Sequence, residues 1–348
     1  MTGVSFVVPV HNGAGHLADV IAAIAAQDDG RPFEIVVVDD GSTDGSAALL
    51  ESLAQSYRIT VVRGPGRGAA AAVNAGIRLA SHPVVCQVDQ DVVLERGWMQ
   101  TLVAALDDPA AGAAQGRYVA DPGGSFFTRV MGLDLEQRYL RVGTHSDHVC
   151  TGNTAYRLAA LDAVGLLDES LGYGYDNDLS YRLQAAGYRL VFCRDARSRH
   201  RWREGLVGYL VQQYGFGYGR LDVVARHPRR YAGDAVSPAA MMWHPLVMSI
   251  ALGLIATGFA MSALFGYSMG LVAAGGMLLL ALALERSFAG ARAWRAFGNT
   301  AAVAFPVVHL LRDLSWVAAI LVWTCRRLLN RPHKPGHSMA ARQPSSLR

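Results

Sequence analysis

Cysteine pairs are missing from this sequence. Only four cysteines occur in its 348 residues, and they lie far apart, at Cys86, Cys150, Cys193 and Cys325. Zinc sites and disulfide frameworks need cysteines at short, repeated spacings, so neither is predicted, and a reducing compartment is expected for the soluble part. An excess of charge is missing too, since 32 basic residues face 28 acidic ones. The total charge therefore does not predict a surface for nucleic acid or another polyanion.

A signal peptide and two common nucleotide-binding loops are also absent. Residues 1–10 carry no basic residue and are too short for a secretory leader, so we expect the first part of the chain to stay in the cytoplasm. The glycine-rich segment 64–68 precedes a predicted helix. It lacks the Gly-Lys-Ser/Thr of a P-loop and does not match the Gly-X-Gly-X-X-Gly of dinucleotide-binding folds. Both of these site classes are excluded.

Composition divides the chain into two parts. Acidic residues concentrate before residue 180, whereas residues 243–284 are almost wholly apolar. A long apolar stretch of this kind is typical of membrane-spanning helices. The sequence therefore predicts a soluble part followed by a membrane part.

The most informative stretch of the soluble part is Val84–Val88, which is followed directly by Asp89, Gln90 and Asp91. A short apolar run predicts a buried strand, and acids at its end lie at the carboxyl edge of the sheet, where open α/β folds bind ligands. Mg²⁺ and Mn²⁺ prefer oxygen ligands and bridge to phosphates. An isolated Asp-X-Asp is more often a solvated turn, so the motif gains weight only from its neighbours.

Strand and helix patterns alternate along the first ninety residues. This alternation predicts right-handed βαβ units and an α/β domain with a mostly parallel sheet. The second strand also ends on acids, Asp39 and Asp40, and Ser42 or Thr43 is expected to cap the next helix. The predicted strands are Val4–Val10, Phe33–Val38, Ile59–Val62 and Val84–Val88, and the predicted helices are Leu17–Ala26 and Ala69–Ala80.

Four segments in this order resemble the family-2 glycosyltransferases of the GT-A fold. Each is weak alone, but four in order within about ninety residues form a specific pattern. The resemblance implies a Rossmann-like nucleotide-sugar domain over residues 1–225. The segments are Val8–Asn12, Val37–Asp44, Gly68–Gly76 and Asp89–Asp91.

The resemblance also implies roles for particular residues. The metal, Mn²⁺ or Mg²⁺, is expected on Asp91, with His200 as an extra ligand. The acceptor side is expected at Gly152, Asn153 and Trp202, although Trp202 suits lipid head groups equally well. The implied nucleotide-binding residues are Pro9, Asn12, Asp39, Asp40, Arg67, Asn74 and Asp89.

The catalytic base is expected at Asp176. Residues 174–183 resemble the family stretch in which Glu-Asp precedes an Asp-Leu-Ser helix, with Tyr175 here in place of the Glu. Inverting transfer needs a carboxylate that removes the proton of the acceptor hydroxyl, while a metal stabilises the departing diphosphate. Helix capping is the competing structural role, and one of Asp176 and Asp178 is expected to cap a helix over 178–186.

The membrane part begins with an aromatic, glycine-rich stretch over residues 204–226, which suits an interfacial helix. Residues 226–243 form a basic juxtamembrane linker. The membrane region covers residues 244–329, with spans at 244–264 and 267–284 and a turn at Gly266. Arginines flank this pair on both sides, so the positive-inside rule predicts cytoplasmic flanks.

The third apolar segment, residues 301–324, is interrupted by Arg312 and Asp313. An interfacial or re-entrant arrangement is favoured, because a full span would leave the basic residues after it outside, against the positive-inside rule. A span that pairs Arg312 with Asp313 remains open. Residues 330–348 are rich in Pro, Ser and Arg and are predicted to be a disordered basic tail.

These expectations combine into one hypothesis and two alternatives. The hypothesis is a metal-dependent inverting glycosyltransferase of the hexosyltransferase type, anchored in the inner or plasma membrane. It would move one sugar from a nucleotide donor, UDP-linked by default, to a polyprenyl-diphosphate saccharide for exopolysaccharide. The alternatives are transfer to a polyprenyl phosphate, and an inactive nucleotide-binding membrane scaffold, which Tyr175 favours.

Overall fold

The computed structural model describes residues 2–266 and 269–331. Within that range the chain forms two compact units. The first comprises residues 2–122 and 139–202, and the second comprises residues 123–138 and 203–331. The predicted disordered tail, residues 330–348, lies outside the described residues except for Asn330 and Arg331.

An eight-stranded mixed sheet organises the first unit. Its order is β3-β2-β1-β4-β7-β6-β8-β5, in which β3, β2, β1 and β4 run parallel to one another and β7 reverses direction between β4 and β6. The strands are β1 (Val4–Val10), β2 (Phe33–Asp39), β3 (Ile59–Arg63), β4 (Val84–Val88), β5 (Val92–Leu94), β6 (Ala111–Val119), β7 (Asn153–Arg157) and β8 (Arg189–His200).

Helices cover both faces of the sheet. Its central strands are therefore buried along their whole length and are almost entirely apolar. Every residue of β1 and of β4 is buried, as expected for strands covered on both faces. Gly76 permits close packing on β1, since a Cβ there would lie 2.4 Å from Val7 Cγ1. The helices of the first half of the chain are α1 (Leu17–Ala25), α2 (Ser46–Ser56), α3 (Ala69–Leu79), α4 (Trp98–Ala105), α5 (Phe126–Tyr139), α6 (Leu158–Val164) and α7 (Tyr175–Ala185).

The α/β fold class is confirmed, and the four predicted strands agree with the structure to within one residue at each end. The predicted cap of α2 is wrong. Helix α2 begins at Ser46 after Gly45, whose φ of 92° is left-handed, and Ser42 instead donates its hydroxyl to Asp39 Oδ1. The prediction failed because the Ser42 hydroxyl bonds to Asp39 within the loop after β2 and does not reach the start of α2.

The second unit is helical. It contains most of α5, together with α8 (Gly205–Arg226), α9 (Ala239–Phe265), α10 (Gly270–Phe297) and α11 (Phe305–Leu328). Among the described residues, three segments are long and apolar enough to cross a membrane, namely 239–265, 270–297 and 300–328. Helix α9 ends at Gly266, which has a φ of 67°, at the predicted turn.

The charged pair of α11 is buried and paired. Arg312 is 4% exposed and Asp313 0%. The Arg312 guanidinium donates to Asp313 Oδ1 from Nε at 3.1 Å and from Nη2 at 2.9 Å, and His244 Nδ1 lies 3.6 Å from Asp313 Oδ2. Pairing of this kind offsets the cost of desolvating both charges. The pair therefore suits either arrangement of residues 301–324 that the sequence left open.

Replacing Asp313 with asparagine should destabilise the helical unit by about 3–5 kcal/mol, because Arg312 would keep a buried charge without its counter-ion. In detergent this corresponds to a melting temperature lowered by roughly 10 °C. The matched control is Glu204→Gln, which neutralises an exposed acid of the same unit. Equal melting temperatures for wild type and Asp313→Asn would show that the pair contributes nothing to stability.

Candidate active site

Three loops meet at the carboxyl edge of the parallel strands. His11 N donates to Gln90 Oε1 at 2.8 Å, and Gln90 Nε2 donates back to His11 O at 3.1 Å. Asn12, with a left-handed φ of 55°, accepts from Thr43 N at 2.7 Å and donates from its own N to Ser42 Oγ at 2.9 Å. The loops after β1, β2 and β4 are thereby fixed to one another.

A crevice opens where β1 leaves β4. Pairing of β1 with β4 ends at Val7 and Gln87, whereas pairing with β2 continues to Val10 and Asp39. Pro9 lies in this last section, opposite Val38 of β2. Proline has no backbone N–H to donate, and none is needed towards β4 here, because β1 and β4 are no longer paired. Ligands of open α/β sheets bind in such crevices at the carboxyl ends of strands.

The two acids at the end of β2 have different surroundings. Asp40 is 7% exposed and accepts from Gly66 N at 2.6 Å and Gly68 N at 2.7 Å, so it organises the glycine-rich loop. Asp39 Oδ1 accepts from Ser42 N at 3.0 Å and from Ser42 Oγ. None of the described residues donates a hydrogen bond to Asp39 Oδ2. Asp39 is therefore the acid that can accept a hydrogen bond from a nucleotide.

Asn74 and Arg67 contact protein groups. Asn74 is 2% exposed; its Nδ2 donates to Leu167 O at 2.8 Å and to Glu169 Oε1 at 3.0 Å, and its Oδ1 accepts from Leu167 N at 3.0 Å. Arg67 Nη2 lies 2.9 Å from Glu169 Oε2, with 65% of the side chain exposed. These contacts support a role for Asn74 in joining α3 to residues 167–169. A nucleotide contact for either residue stays a prediction.

The acids after β4 share a site with a histidine from β8. Strand β5 pairs with β8 so that Val92 lies opposite His200, which brings His200 Nε2 to 3.2 Å from Asp91 Oδ1. Burial opposes ionisation of Asp91, but the His200 imidazole outweighs it and lowers the pKa of Asp91. Burial raises the pKa of Asp89 to about 6, and the charge of Asp91 acts in the same direction.

This group of residues fits a divalent cation. Asp89 and Asp91 are two half-buried carboxylates whose repulsion contributes to the raised pKa of Asp89, and a cation relieves that repulsion. His200 Nδ1 is buried and lacks a hydrogen-bond partner among the described residues. Across the described ranges, no three His, Cys, Asp or Glu side chains form a complete metal site. Carboxylate and imidazole donors would thus supply part of a shell that substrate phosphates complete, as is usual for Mg²⁺ and Mn²⁺.

Gly152, just before β7, lies against Asp89, and Asn153 follows it at the start of β7. A Cβ on Gly152 would lie 2.2 Å from Asp89 Oδ2, and Asp89 N donates to Gly152 O at 3.3 Å. Asn153 is fully buried, and its Oδ1 accepts from Trp98 Nε1 at 2.5 Å. These contacts hold Asp89 in place, and an acceptor contact for Gly152 or Asn153 stays a prediction.

Asp176 lies in the first turn of α7. The predicted cap is wrong: α7 begins after Gly174, whose φ of 76° is left-handed, and neither acid caps the helix. Asp178 instead accepts from Arg182 Nε at 2.8 Å. Burial raises the pKa of Asp176, and the Asp176 charge contributes to the raised pKa of Asp89, which places the two acids in one electrostatic environment. A desolvated carboxylate of this kind suits a general base.

Tyr175, in place of the family Glu, lies close to both acids. Burial raises the pKa of its phenol first, and the charges of Asp89 and Asp176 raise it further. The side chain hydrogen-bonds to Thr151. Tyr175 is therefore a neutral phenol within the electrostatic influence of Asp89 and Asp176.

Sequence reasoning missed one member of this site. Tyr118, on β6, stacks on His200 with ring centroids 5.2 Å apart, and Trp202 completes the cluster at 3.9 Å from His200 and 6.2 Å from Tyr118. No motif marks Tyr118, because β6 itself has no clear strand signal in Ala111–Val119. The rings of Tyr118 and Trp202 therefore pack against His200, the predicted metal ligand.

Comparison with known proteins assigns the family. Residues 5–165 match the model for Glycosyl transferase family 2. The uncharacterized glycosyltransferase Mb0553 of Mycobacterium bovis is 33% identical over 198 residues, which cover 54% of this chain and 82% of that relative. The chain belongs to glycosyltransferase family 2. The family resemblance of its four N-terminal segments is thereby confirmed.

Other family members match over a longer part of the chain. The pre-mycofactocin glycosyltransferase of Mycobacterium tuberculosis is 31% identical over 263 residues, 72% of this chain and 53% of the relative. The succinoglycan biosynthesis protein ExoA of Rhizobium meliloti is 27% identical over 233 residues, 64% of this chain and 70% of the relative. This chain therefore spans about half the length of the first of these relatives.

A solved structure with the same fold is the mannosyltransferase PcManGT from Pyrobaculum calidifontis, in complex with GDP-Man and Mn²⁺. The TM-score is 0.60 at 19% identity, and the match covers 94% of this chain and 88% of the mannosyltransferase. This similarity confirms the GT-A fold that the family predicts.

Replacing Gly152 with alanine should lower the rate of sugar transfer about 100-fold. A Cβ at 2.2 Å from Asp89 Oδ2 must displace that carboxylate. Sugar transfer and nucleotide affinity are measured together. Gly15→Ala is the matched control, since no atom lies within 4 Å of a Cβ there. Wild-type activity in Gly152→Ala would show that the position of Asp89 is unimportant.

Proposed function

We propose that this chain is a metal-dependent inverting glycosyltransferase that moves one sugar from a nucleotide-sugar to a lipid-linked saccharide at the cytoplasmic face of the membrane. The observation that carries the proposal is the pair formed by Asp91 and His200 next to Asp89, together with Asp176 in the first turn of α7, whose charge acts on Asp89. This combination supplies a base for the acceptor and ligands for a cation. Those are the two components that transfer from a diphosphate donor requires.

The reaction follows from the chemistry of these side chains. Asp176 accepts the proton of the acceptor hydroxyl while that oxygen bonds to the anomeric carbon and the bond from that carbon to the diphosphate breaks. The raised pKa of Asp176 increases its basicity as a proton acceptor. Mn²⁺ or Mg²⁺, held by Asp91 and His200, would neutralise charge on the leaving diphosphate.

Donor binding is proposed at the crevice between β1 and β4. Asp39 Oδ2 and the loops fixed by Asn12 are available to a nucleoside, and Asp89 lies next to the phosphates of a donor bound there. UDP is the default nucleotide, but no described residue decides among nucleotides. A mannosyltransferase of the same fold binds GDP-Man, so GDP needs equal testing.

The acceptor is proposed to be a polyprenyl-diphosphate saccharide. Three segments apolar enough to cross a membrane support a lipid acceptor, and a relative named for succinoglycan biosynthesis supports exopolysaccharide as the product class. The Gln-X-X-Arg-Trp motif of polymer synthases is absent, since residues 199–202 read Arg-His-Arg-Trp. Addition of a single sugar is therefore favoured over polymer synthesis.

Calorimetric binding of UDP, GDP and dTDP to the detergent-purified full chain, with and without Mn²⁺, tests the donor part of this proposal. We expect one nucleotide to bind and its affinity to rise with Mn²⁺. Folded protein that binds none of the three would contradict the transferase proposal and leave the scaffold alternative.

The pH dependence of transfer should report Asp176. A base with a raised pKa loses its function as the pH falls through that pKa, so the acid limb of kcat should lie above that of an unperturbed aspartate. The profile is measured at saturating Mn²⁺ and acceptor. A rate that stays constant down to pH 4 would contradict the assignment of Asp176 as a desolvated base.

A further inference from the structure

Helices α8 and α11 pack side by side and run in the same direction. Tyr209 OH donates to Val308 O at 3.1 Å, and farther along both helices Trp323 Nε1 donates to Asp222 Oδ1 at 2.8 Å. Between these contacts, Gly217 leaves room for an indole, since a Cβ there would lie 3.0 Å from Trp316 Cγ. The C-terminal ends of the two helices therefore lie together.

A cavity of about 370 Å³ opens between these ends. Three arginines face it, against a single aspartate whose Oδ1 already accepts a hydrogen bond from an indole. Among the described residues, none of the three arginines forms an ion pair with a carboxylate. The cavity is lined by Tyr218, Asp222, Trp323, Arg326, Arg327, Asn330 and Arg331.

Aromatic rings hold two of the guanidinium groups in place. Arg326 lies over Tyr218 with its Cζ 5.7 Å from the ring centroid, and its Nη1 donates to the Tyr218 hydroxyl at 3.4 Å. Arg327 lies over Trp323 with its Cζ 4.8 Å from the ring centroid. A stacked guanidinium keeps in-plane N–H donors for a second partner, and its fork matches two oxygens of a phosphate.

The rest of α11 indicates that this cavity lies at the level of lipid head groups. Val307, Leu314, Leu321 and Leu328 follow one another at seven-residue intervals, and all four are exposed, which is the pattern of a lipid-facing stripe. Tryptophan and arginine at the end of such a stripe are typical of the membrane interface. The apolar stripe suits acyl chains, and the arginines suit the head groups above them.

The leaflet follows from the path of the chain. Helices α9 and α11 run in the same direction, since His244 Nδ1 lies 3.6 Å from Asp313 Oδ2, and Met248 and Val317, each four residues farther along, belong to one buried cluster. The end of α11 therefore lies towards the end of α9, on the opposite side of the membrane from the start of α9. The arginines at the end of α11 face the leaflet on that side.

We propose that this cavity binds the phosphate of an anionic lipid in the leaflet where α11 ends. The proposal does not depend on the transferase activity. It concerns residues 218–222 and 323–331 of the helical unit, and its chemistry is that of arginines, stacked on aromatic rings, that contact a phosphodiester. The occupant is a lipid rather than a soluble phosphate, because the cavity lies at the end of a segment that is long and apolar enough to cross a membrane.

Native mass spectrometry of the detergent-purified full chain tests this site, with phosphatidylglycerol and phosphatidylcholine as probes. We expect phosphatidylglycerol to bind more tightly, and the double variant Arg326→Gln with Arg327→Gln to lose roughly 30-fold in that affinity. The matched control replaces two exposed arginines of α10, Arg292→Gln with Arg295→Gln, and should keep wild-type affinity.

Three results would overturn the proposal. Equal binding of the two lipids would exclude recognition of an anionic head group. Wild-type lipid affinity in the double variant would place the site elsewhere. Displacement of the lipid by millimolar inorganic phosphate or pyrophosphate would show a site for soluble anions. Arg331→Gln, at an exposed position beyond the end of α11, gives a second variant that tests the cavity if the stacked pair proves necessary for folding.

Discussion

Replacing Asp176 with asparagine should lower kcat for sugar transfer about 1,000-fold, because the amide cannot accept the proton of the attacking hydroxyl. Donor affinity should change less than about twofold, since the substitution keeps the shape of the side chain and lies outside the nucleotide crevice. Release of nucleotide from the donor is measured in parallel with incorporation of labelled sugar into lipid. Asp176→Asn is thus expected to separate catalysis from binding.

Asp162→Asn provides the control for this result, since Asp162 is an exposed aspartate of the same unit, on α6. It should transfer sugar at the wild-type rate. If Asp176→Asn also kept that rate, the acceptor would need no base. A polyprenyl phosphate, already an anion, would then be the favoured acceptor.

Replacing Asp91 with asparagine should remove the dependence of nucleotide affinity on Mn²⁺ and lower transfer by about 100-fold to 1,000-fold. The physical reason is the loss of one negative charge and one proposed metal ligand beside His200, whose Nε2 lies 3.2 Å from the carboxylate. Treatment of the wild type with EDTA should give the same loss, reversed by added Mn²⁺. Calorimetry and transfer assays check the two effects separately.

Asp107→Asn serves as the control here, because Asp107 is an exposed aspartate that follows the C-terminal end of α4. It should keep both the metal dependence and the rate. An EDTA-treated wild type that transfers sugar at its full rate would show that transfer needs no cation. The pairing of Asp91 with His200 would then serve only the fold.

Local sequence determines the first half of the sheet and the helix that carries Asp176, the proposed base. Buried strands such as Val84–Val88 are continuous apolar runs, which is why their boundaries are clear. The family stretch over residues 174–183 led to a predicted helix over 178–186, and α7 covers Tyr175–Ala185, with Asp176 in its first turn. What remained hidden depends on contacts between distant residues.

The partners of the acids illustrate that limit. Asp39 and Asp40 are adjacent and chemically identical, yet Asp40 binds the amides of Gly66 and Gly68 while Asp39 keeps one oxygen available. Gly152 matters because Asp89 lies against it, and no local pattern reveals that contact. Side chains gain such roles from strand order and register, which the sequence does not display locally.

The helical unit shows the same division. Residues 239–265 and 270–297 are apolar enough to identify as spans from composition. The association of residues 123–138 with this unit had no sequence signal, because α5 mixes polar and apolar residues. In the sequence, the two arginines after residue 325 indicate only positive charge. In the structure they stack on Tyr218 and Trp323 and line a cavity.

Mass spectrometry of the lipid fraction after incubation with a nucleotide-sugar tests the central claim most directly. The detergent-purified chain is given Mn²⁺, a donor chosen by the calorimetric screen, and polyprenyl-diphosphate saccharides. The account predicts that acceptor lipid gains the mass of a single sugar, and that Asp176→Asn abolishes the gain. A protein that binds the donor and Mn²⁺ but leaves every lipid unchanged, or that adds a ladder of sugars, would contradict it.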